Sequence, residues 1–149
     1  MSTSIVTGDT AGKTPWHLWL VGGVAMLWNA FGGFDYIMTQ TRNAAYLAQF
    51  TAEQRAYFES YPVWMEAVWG IGVWGAVAGS LLLLLRLKLA FHALLASLIA
   101  FAISVVYGQT SGGNAVMGST GLIFSAVIFL LGLGFVMYSR AMRRKGVLR

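Results

Sequence analysis

The chain contains four long, mainly apolar stretches separated by shorter polar segments. A helix needs roughly 20 mainly apolar residues to cross the hydrocarbon core of a bilayer, and each stretch reaches about that length. Transmembrane β-strands are shorter and alternate in polarity, so the pattern predicts helices. The predicted spans cover residues 16–38, 62–85, 89–108 and 120–139.

These spans form one predicted transmembrane domain, residues 15–140, between two short terminal segments. Residues 1–14 are rich in Ser, Thr and Gly, which predicts a flexible tail. Residues 141–149 are predicted to form a basic cytoplasmic tail. The predicted fold class is therefore an all-α, integral membrane four-helix bundle.

The segment from Thr39 to Tyr61 is the only substantial one predicted outside the bilayer. Thr51 and Gln54 have the spacing of a capping box, which predicts a short helix over residues 52–60. The segment is rich in Tyr and Phe, which favours a helix lying at the membrane interface. A lid over a cavity between the spans is the alternative.

Composition supports a membrane location. The chain is 58% hydrophobic and 10% charged, whereas soluble domains average about 45–50% apolar and about 25% charged residues. A disordered chain is excluded because such chains are poor in apolar and aromatic residues. The chain has no Cys, which excludes disulfides, thiolate metal sites and cysteine nucleophiles.

The positions of Lys and Arg predict the orientation. Cytoplasmic segments of membrane proteins carry an excess of these residues, and here eight of the ten fall on the side of the two termini. Both termini are therefore expected to be cytoplasmic. This placement accounts for the net charge of +5 without nucleic acid, and the expected partner of the basic face is the lipid bilayer. The eight residues are Lys13, Arg86, Lys88, Arg140, Arg143, Arg144, Lys145 and Arg149.

Two acidic residues lie inside predicted spans, Asp35 in the first and Glu66 in the second. Ionisable residues within a membrane are costly and commonly functional. Both are expected at a similar depth toward the outer side, where they could share a proton or hold a cation. The alternative is that both lie in the headgroup region and pair with Arg42 or Arg55, or cap a helix end.

Asn29 and Trp69 are the other candidate solute-binding residues. Asn29 either hydrogen-bonds across a helix contact or faces a polar cavity, and Trp69 either fills a groove left by glycines or stacks on a ligand. Small residues allow close helix packing in membranes. The glycines expected at such contacts are Gly32, Gly33, Gly72, Gly75 and Gly79.

The sequence contains no recognisable catalytic set, and we expect no enzymatic activity, no metal site and no cofactor. His17 and His92 lie near the same face of the membrane and could in principle ligate a haem, but both are shallow for a buried macrocycle. Histidines at the membrane interface are the favoured interpretation.

Two runs carry a resemblance to a known family: LWNAFGGFDYIMTQTRNAAYLAQFTAEQRAYF (Leu27–Phe58) and PVWMEAVWGIGVWGAVAGSLLLLLR (Pro62–Arg86). They resemble a family of small four-span inner-membrane proteins of proteobacteria, whose members are called hypothetical proteins or sugar transporters. The resemblance implies a multi-pass inner-membrane protein and a transport function. It assigns no binding residues.

Two functions follow as hypotheses. The first is a proton- or cation-linked transporter of a small solute that works as an oligomer, since four spans enclose little volume. The second is a non-catalytic accessory or structural subunit of a larger membrane complex. The two acids favour the first, and the glycine-rich helices with short loops favour the second.

Overall fold

The computed structural model describes residues 13–149, so most of the predicted N-terminal tail lies outside the described residues. Of the described residues, 82% are helical and none forms a strand. The all-α class is therefore confirmed. The helices are α1 (Trp16–Gln40), α2 (Ala44–Leu47), α3 (Ala52–Glu59), α4 (Val63–Leu84), α5 (Leu89–Thr110) and α6 (Gly113–Arg144).

Three helices, α4, α5 and α6, are long and apolar enough to cross a membrane. Their lengths and compositions are those of the spans of a multi-pass membrane protein. Helix α1 has 25 residues, which is also long enough to cross. Asn29, Asp35 and several glycines make it less apolar than the other three, so its crossing stays a prediction.

The four long helices form a bundle in chain order, in which α1 packs on α4, α4 on α5 and α5 on α6. Helix α6 also contacts α1, because the rings of Trp28 and Phe124 lie 6.3 Å apart. A buried apolar cluster in the middle of the bundle joins α1, α5 and α6. Its members are Ala25, Leu94, Phe135 and Val136.

Glycines bring α4 close to α5. A Cβ at Gly79 would lie 2.6 Å from Cγ of Leu94 and 3.0 Å from its backbone nitrogen. A Cβ at Gly75 would lie 3.3 Å from the Cβ of Ser97, and one at Gly72 would lie 3.6 Å from the Cβ of Ala100. The three α4 glycines therefore form one face against α5.

A second set of small residues joins α1 to α4. A Cβ at Gly33 would lie 3.6 Å from the Trp74 ring, and one at Gly70 would lie 3.0 Å from the Tyr36 hydroxyl. Gly32 does not take part in this packing, contrary to expectation, because a Cβ there would meet nothing within 4 Å. Helix α4 thus presents small residues to neighbours on two sides.

We call the end of the bundle that carries α2, α3 and the α5–α6 turn the loop end. The predicted short helix is confirmed here as α3, and its capping box is formed in both directions between Thr51 and Gln54. Tyr57 on α3 donates to or accepts from the Ser111 hydroxyl at 2.6 Å. Its ring also packs over Gly113, where a Cβ would clash with it. Helix α3 is therefore fastened to the start of α6.

The opposite end, which carries the α4–α5 turn and the C-terminus, is the terminal end. Helix α6 continues to Arg144, and the chain then turns back at Gly146, whose φ is +70°. Val147 and Leu148 are buried there. The Arg149 backbone N–H donates to the Arg86 carbonyl at 2.6 Å. Part of the predicted basic tail is therefore packed against the bundle.

The glycine packing of α4 on α5 predicts a large difference between two alanine substitutions. Gly79→Ala would force the added methyl group into Leu94, and overpacking of this kind costs about 1–3 kcal/mol. Gly32→Ala adds a methyl group in open space and should leave stability unchanged or raise it by up to about 1 kcal/mol through helix propensity. Unfolding in detergent, followed by circular dichroism, measures both, and equal stability of the two variants would contradict the packing.

Candidate functional site

A cavity of about 280 Å³ opens at the loop end between the end of α1, helix α3 and the start of α4. We call it the loop-end cavity. Its wall combines basic, acidic and aromatic side chains. The lining residues are Thr39, Gln40, Arg42, Leu47, Arg55, Phe58, Glu59, Tyr61, Glu66 and Trp69.

Glu66 and Trp69 are the two predicted site residues that the structure brings together. Glu66 lies in the first turn of α4, and residues three apart share a helix face, so the carboxylate and the indole lie on the same side. The rings of Tyr36 and Tyr61 make T-shaped contacts with the Trp69 ring, with centroids 4.8 Å and 6.4 Å away. These contacts hold the indole in place beside the cavity.

Tyr61 supplies a neutral hydroxyl to the same wall. Burial raises the pKa of Tyr61 above its ordinary value, and the neighbouring Tyr57 and Tyr107 add to the effect. A raised pKa means that the phenol keeps its proton at all pH values near neutrality. Tyr61 can therefore act as a hydrogen-bond donor in the cavity.

The charged part of the wall contains two arginines and two glutamates. Arg42 follows the end of α1 and adopts a φ of +52°, which is uncommon for a residue other than glycine. Arg55 and Glu59 lie one turn apart on α3. Together with Glu66, these side chains give the cavity two positive and two negative charges.

Asp35 does not line the loop-end cavity and instead hydrogen-bonds to α2. The Tyr46 hydroxyl donates a hydrogen bond to an Asp35 carboxylate oxygen. Burial, followed by the hydrogen bond to Asp35 and its negative charge, raises the pKa of Tyr46 to about 12. The phenol therefore remains a donor throughout the physiological range, and Asp35 ties α2 to the end of α1.

Asn29 joins α1 to α4. Its side-chain amide donates to the Ser80 hydroxyl at 2.8 Å and to the Ala76 carbonyl at 3.4 Å. Ser80 in turn donates to the Ala76 carbonyl at 2.8 Å. Of the two interpretations of Asn29, the structure therefore supports the hydrogen bond across a helix contact.

The packing of α1 on α4 places Asp35 and Glu66 at different levels along the bundle. Extending the register puts Glu66 opposite Gln40, and Asp35 is five residues from Gln40, or roughly 7 Å at a rise of 1.5 Å per residue. This offset runs along the bundle, and the expectation that both acids lie at a similar depth in the membrane stays a prediction. The register is set by three facing pairs: Gly22 with Leu84, Gly33 with Trp74, and Tyr36 with Gly70.

The two histidines are not brought together as haem ligands would be. The Nδ1 atom of His17 lies 2.6 Å from the Tyr138 hydroxyl, within hydrogen-bonding distance. His92 is exposed on α5, next to Phe91. His17 therefore contributes to the contact between α1 and α6.

Sequence reasoning identified Glu66 and Trp69 but assigned no role in a site to Tyr61, Arg42 or Arg55. In the sequence the two arginines indicate orientation or possible partners of the acids, since charge alone does not show that they share a cavity. The aromatic character of residues 39–61 is the only feature of the sequence that points to Tyr61. The left-handed backbone of Arg42 has no signature in the sequence.

The chain matches no protein-family model, no curated protein and no solved structure.

The Asn29–Ser80 contact predicts an energetic coupling between the two residues. In a double-mutant cycle with Asn29→Ala and Ser80→Ala, the coupling should be about 0.6 kcal/mol and at most about 1.7 kcal/mol, the range for hydrogen bonds between transmembrane helices. The free energy of unfolding in mixed micelles measures it. Asn29→Ala combined with Ser97→Ala is the control, because Ser97 donates to Gly72 at a different helix contact. Equal coupling in both cycles would contradict the assignment.

Proposed function

We propose that the protein is a non-catalytic subunit of a larger membrane complex, embedded as a four-span bundle in the bacterial inner membrane with both termini in the cytoplasm. The closed interior of the bundle supports this proposal most directly. The buried polar residues are Ser80, Ser97 and Ser139, and each donates to a backbone carbonyl. Among the described residues, no buried side-chain nitrogen or oxygen lacks a hydrogen-bond partner.

The candidate residues within the helices also have structural roles. Asn29 hydrogen-bonds to Ser80, and Asp35 accepts a hydrogen bond from Tyr46. The α4 glycines pack against α5. A polar pathway through one chain would need side chains free to receive a solute, and these three features offer none. These structural roles favour a subunit that packs against a partner protein over a transporter with a solute pathway through one chain.

The outer face of α1 is the surface we assign to the partner. Leu27 and Phe31 are 68% and 72% exposed, and Trp16 is 74% exposed. Large apolar side chains are also exposed on α4, α5 and α6, where lipid is a suitable cover. Helix α1 is the one long helix that is not among those apolar enough to cross a membrane by composition, which supports a protein partner for it.

Transport by an oligomer is the second candidate, and the loop-end cavity is the observation that favours it. Glu66 and Trp69 line this cavity together, and it opens at the end of the bundle assigned to the outer side. A solute bound there would need a pathway between subunits, because the interior of one bundle is closed.

Blue-native electrophoresis of membranes in a mild detergent tests the subunit proposal. We expect a complex larger than the monomer for the wild type, and its loss for the double variant Leu27→Ala, Phe31→Ala. The control is Leu122→Ala, Ile123→Ala on α6, whose side chains are also exposed; it should keep the complex.

Reconstitution in liposomes separates the two candidates. If the protein is a subunit without transport activity, the purified chain should give no proton- or cation-coupled uptake. Transport would replace the subunit proposal if the wild type shows uptake that Glu66→Gln abolishes, and if blue-native electrophoresis shows only a monomer or an oligomer of this chain alone.

A further inference from the structure

The loop-end cavity has a charge pattern that selects among small ligands. Arg42 and Arg55 contribute two positive charges, and Glu59 and Glu66 contribute two negative charges. A simple anion would meet the two carboxylates, and a simple cation would meet the two guanidinium groups. A ligand that carries both charges can satisfy both halves of the wall.

The α4 side of the cavity suits an ammonium group. Glu66 provides a carboxylate, and Trp69 provides an indole on the same helix face. Cations are attracted to the face of an aromatic ring, and Trp is the best of the aromatic residues for this purpose. The Trp69 ring makes T-shaped contacts with Tyr36 and Tyr61, and these contacts fix its position without a ligand.

The α1–α3 side suits a carboxylate. Guanidinium groups bind carboxylates with charge-assisted hydrogen bonds that are frequently bidentate. Arg55 is exposed on α3 and lines the cavity. It precedes Glu59 by four residues, and an ion pair in this order along a helix is weaker than one with the acid first. Arg42 also lines an adjoining concavity of about 420 Å³ together with Arg55.

The cavity has room for a small ligand. Its volume of about 280 Å³ lies just below the roughly 300–1,000 Å³ that is usual for small-molecule sites. This volume can hold a molecule the size of an amino acid.

We propose that the loop-end cavity binds a small zwitterion of the amino-acid or betaine class. Its ammonium group lies against Glu66 and Trp69, and its carboxylate lies against Arg42 and Arg55. This proposal goes beyond the subunit function and does not depend on it, because a subunit and a transporter could each carry such a site.

Isothermal titration calorimetry of the full chain in detergent tests the proposal. The probes are glycine betaine and L-alanine, which carry both charges, and tetramethylammonium chloride and sodium acetate, which each carry one. We expect at least one zwitterion to bind with a Kd at least about tenfold below that of either single-charge probe. Absence of binding by both zwitterions, or equal binding of acetate or tetramethylammonium, would overturn the proposal.

Three variants locate the bound zwitterion. Glu66→Gln and Arg55→Gln should each raise its Kd by about tenfold to a hundredfold, as expected for the loss of a direct interaction between charged groups. Glu53→Gln is the matched control, since Glu53 is exposed on α3 and does not line the cavity. Arg55 is exposed, so its variant keeps the fold. A Kd unchanged by both cavity variants would place the ligand elsewhere and contradict the proposal.

Discussion

The close approach of α4 to its two neighbours determines how the other long helices are arranged. Gly72, Gly75 and Gly79 bring α5 near enough for direct backbone contact, while Gly70 accommodates Tyr36 from α1. In a bilayer, apolar burial gives little drive for helix association, so packing and hydrogen bonds between helices must supply it. Helix α4 therefore orders the bundle and holds α1, the least apolar of the long helices.

The same contacts decide where polar chemistry can occur. Because α1 packs on α4, the side-chain amide of Asn29 donates to Ser80 and has a structural role. At the loop end the two helices are flanked by α3, and the space left there becomes the cavity that holds Glu66 and Trp69. The candidate ligand chemistry therefore lies at one end of the molecule.

Much of the fold could be predicted from the sequence, because it depends on local pattern. The apolar stretches gave the three membrane-length helices, and Thr51 with Gln54 gave helix α3. The register of α1 against α4 could not be predicted, since it depends on which side chains interlock across the contact. For the same reason the sequence does not show how far Asp35 is offset from Glu66 along the bundle. The burial of Val147 and Leu148 was also missed, because a short apolar pair after a basic run carries no periodic signal.

Helix α1 is predicted to cross the membrane against α4, beside three helices of membrane-spanning length and apolarity. Single-cysteine variants test this crossing directly, because the natural chain has no Cys and Lys13 and Gln49 are exposed on either side of α1. Lys13→Cys and Gln49→Cys would be treated with a membrane-impermeant maleimide in intact and in permeabilised cells. We expect Gln49→Cys to be labelled in intact cells and Lys13→Cys to be labelled only after permeabilisation. Labelling of both from the same side would show that α1 does not cross, and would contradict the four-helix membrane bundle.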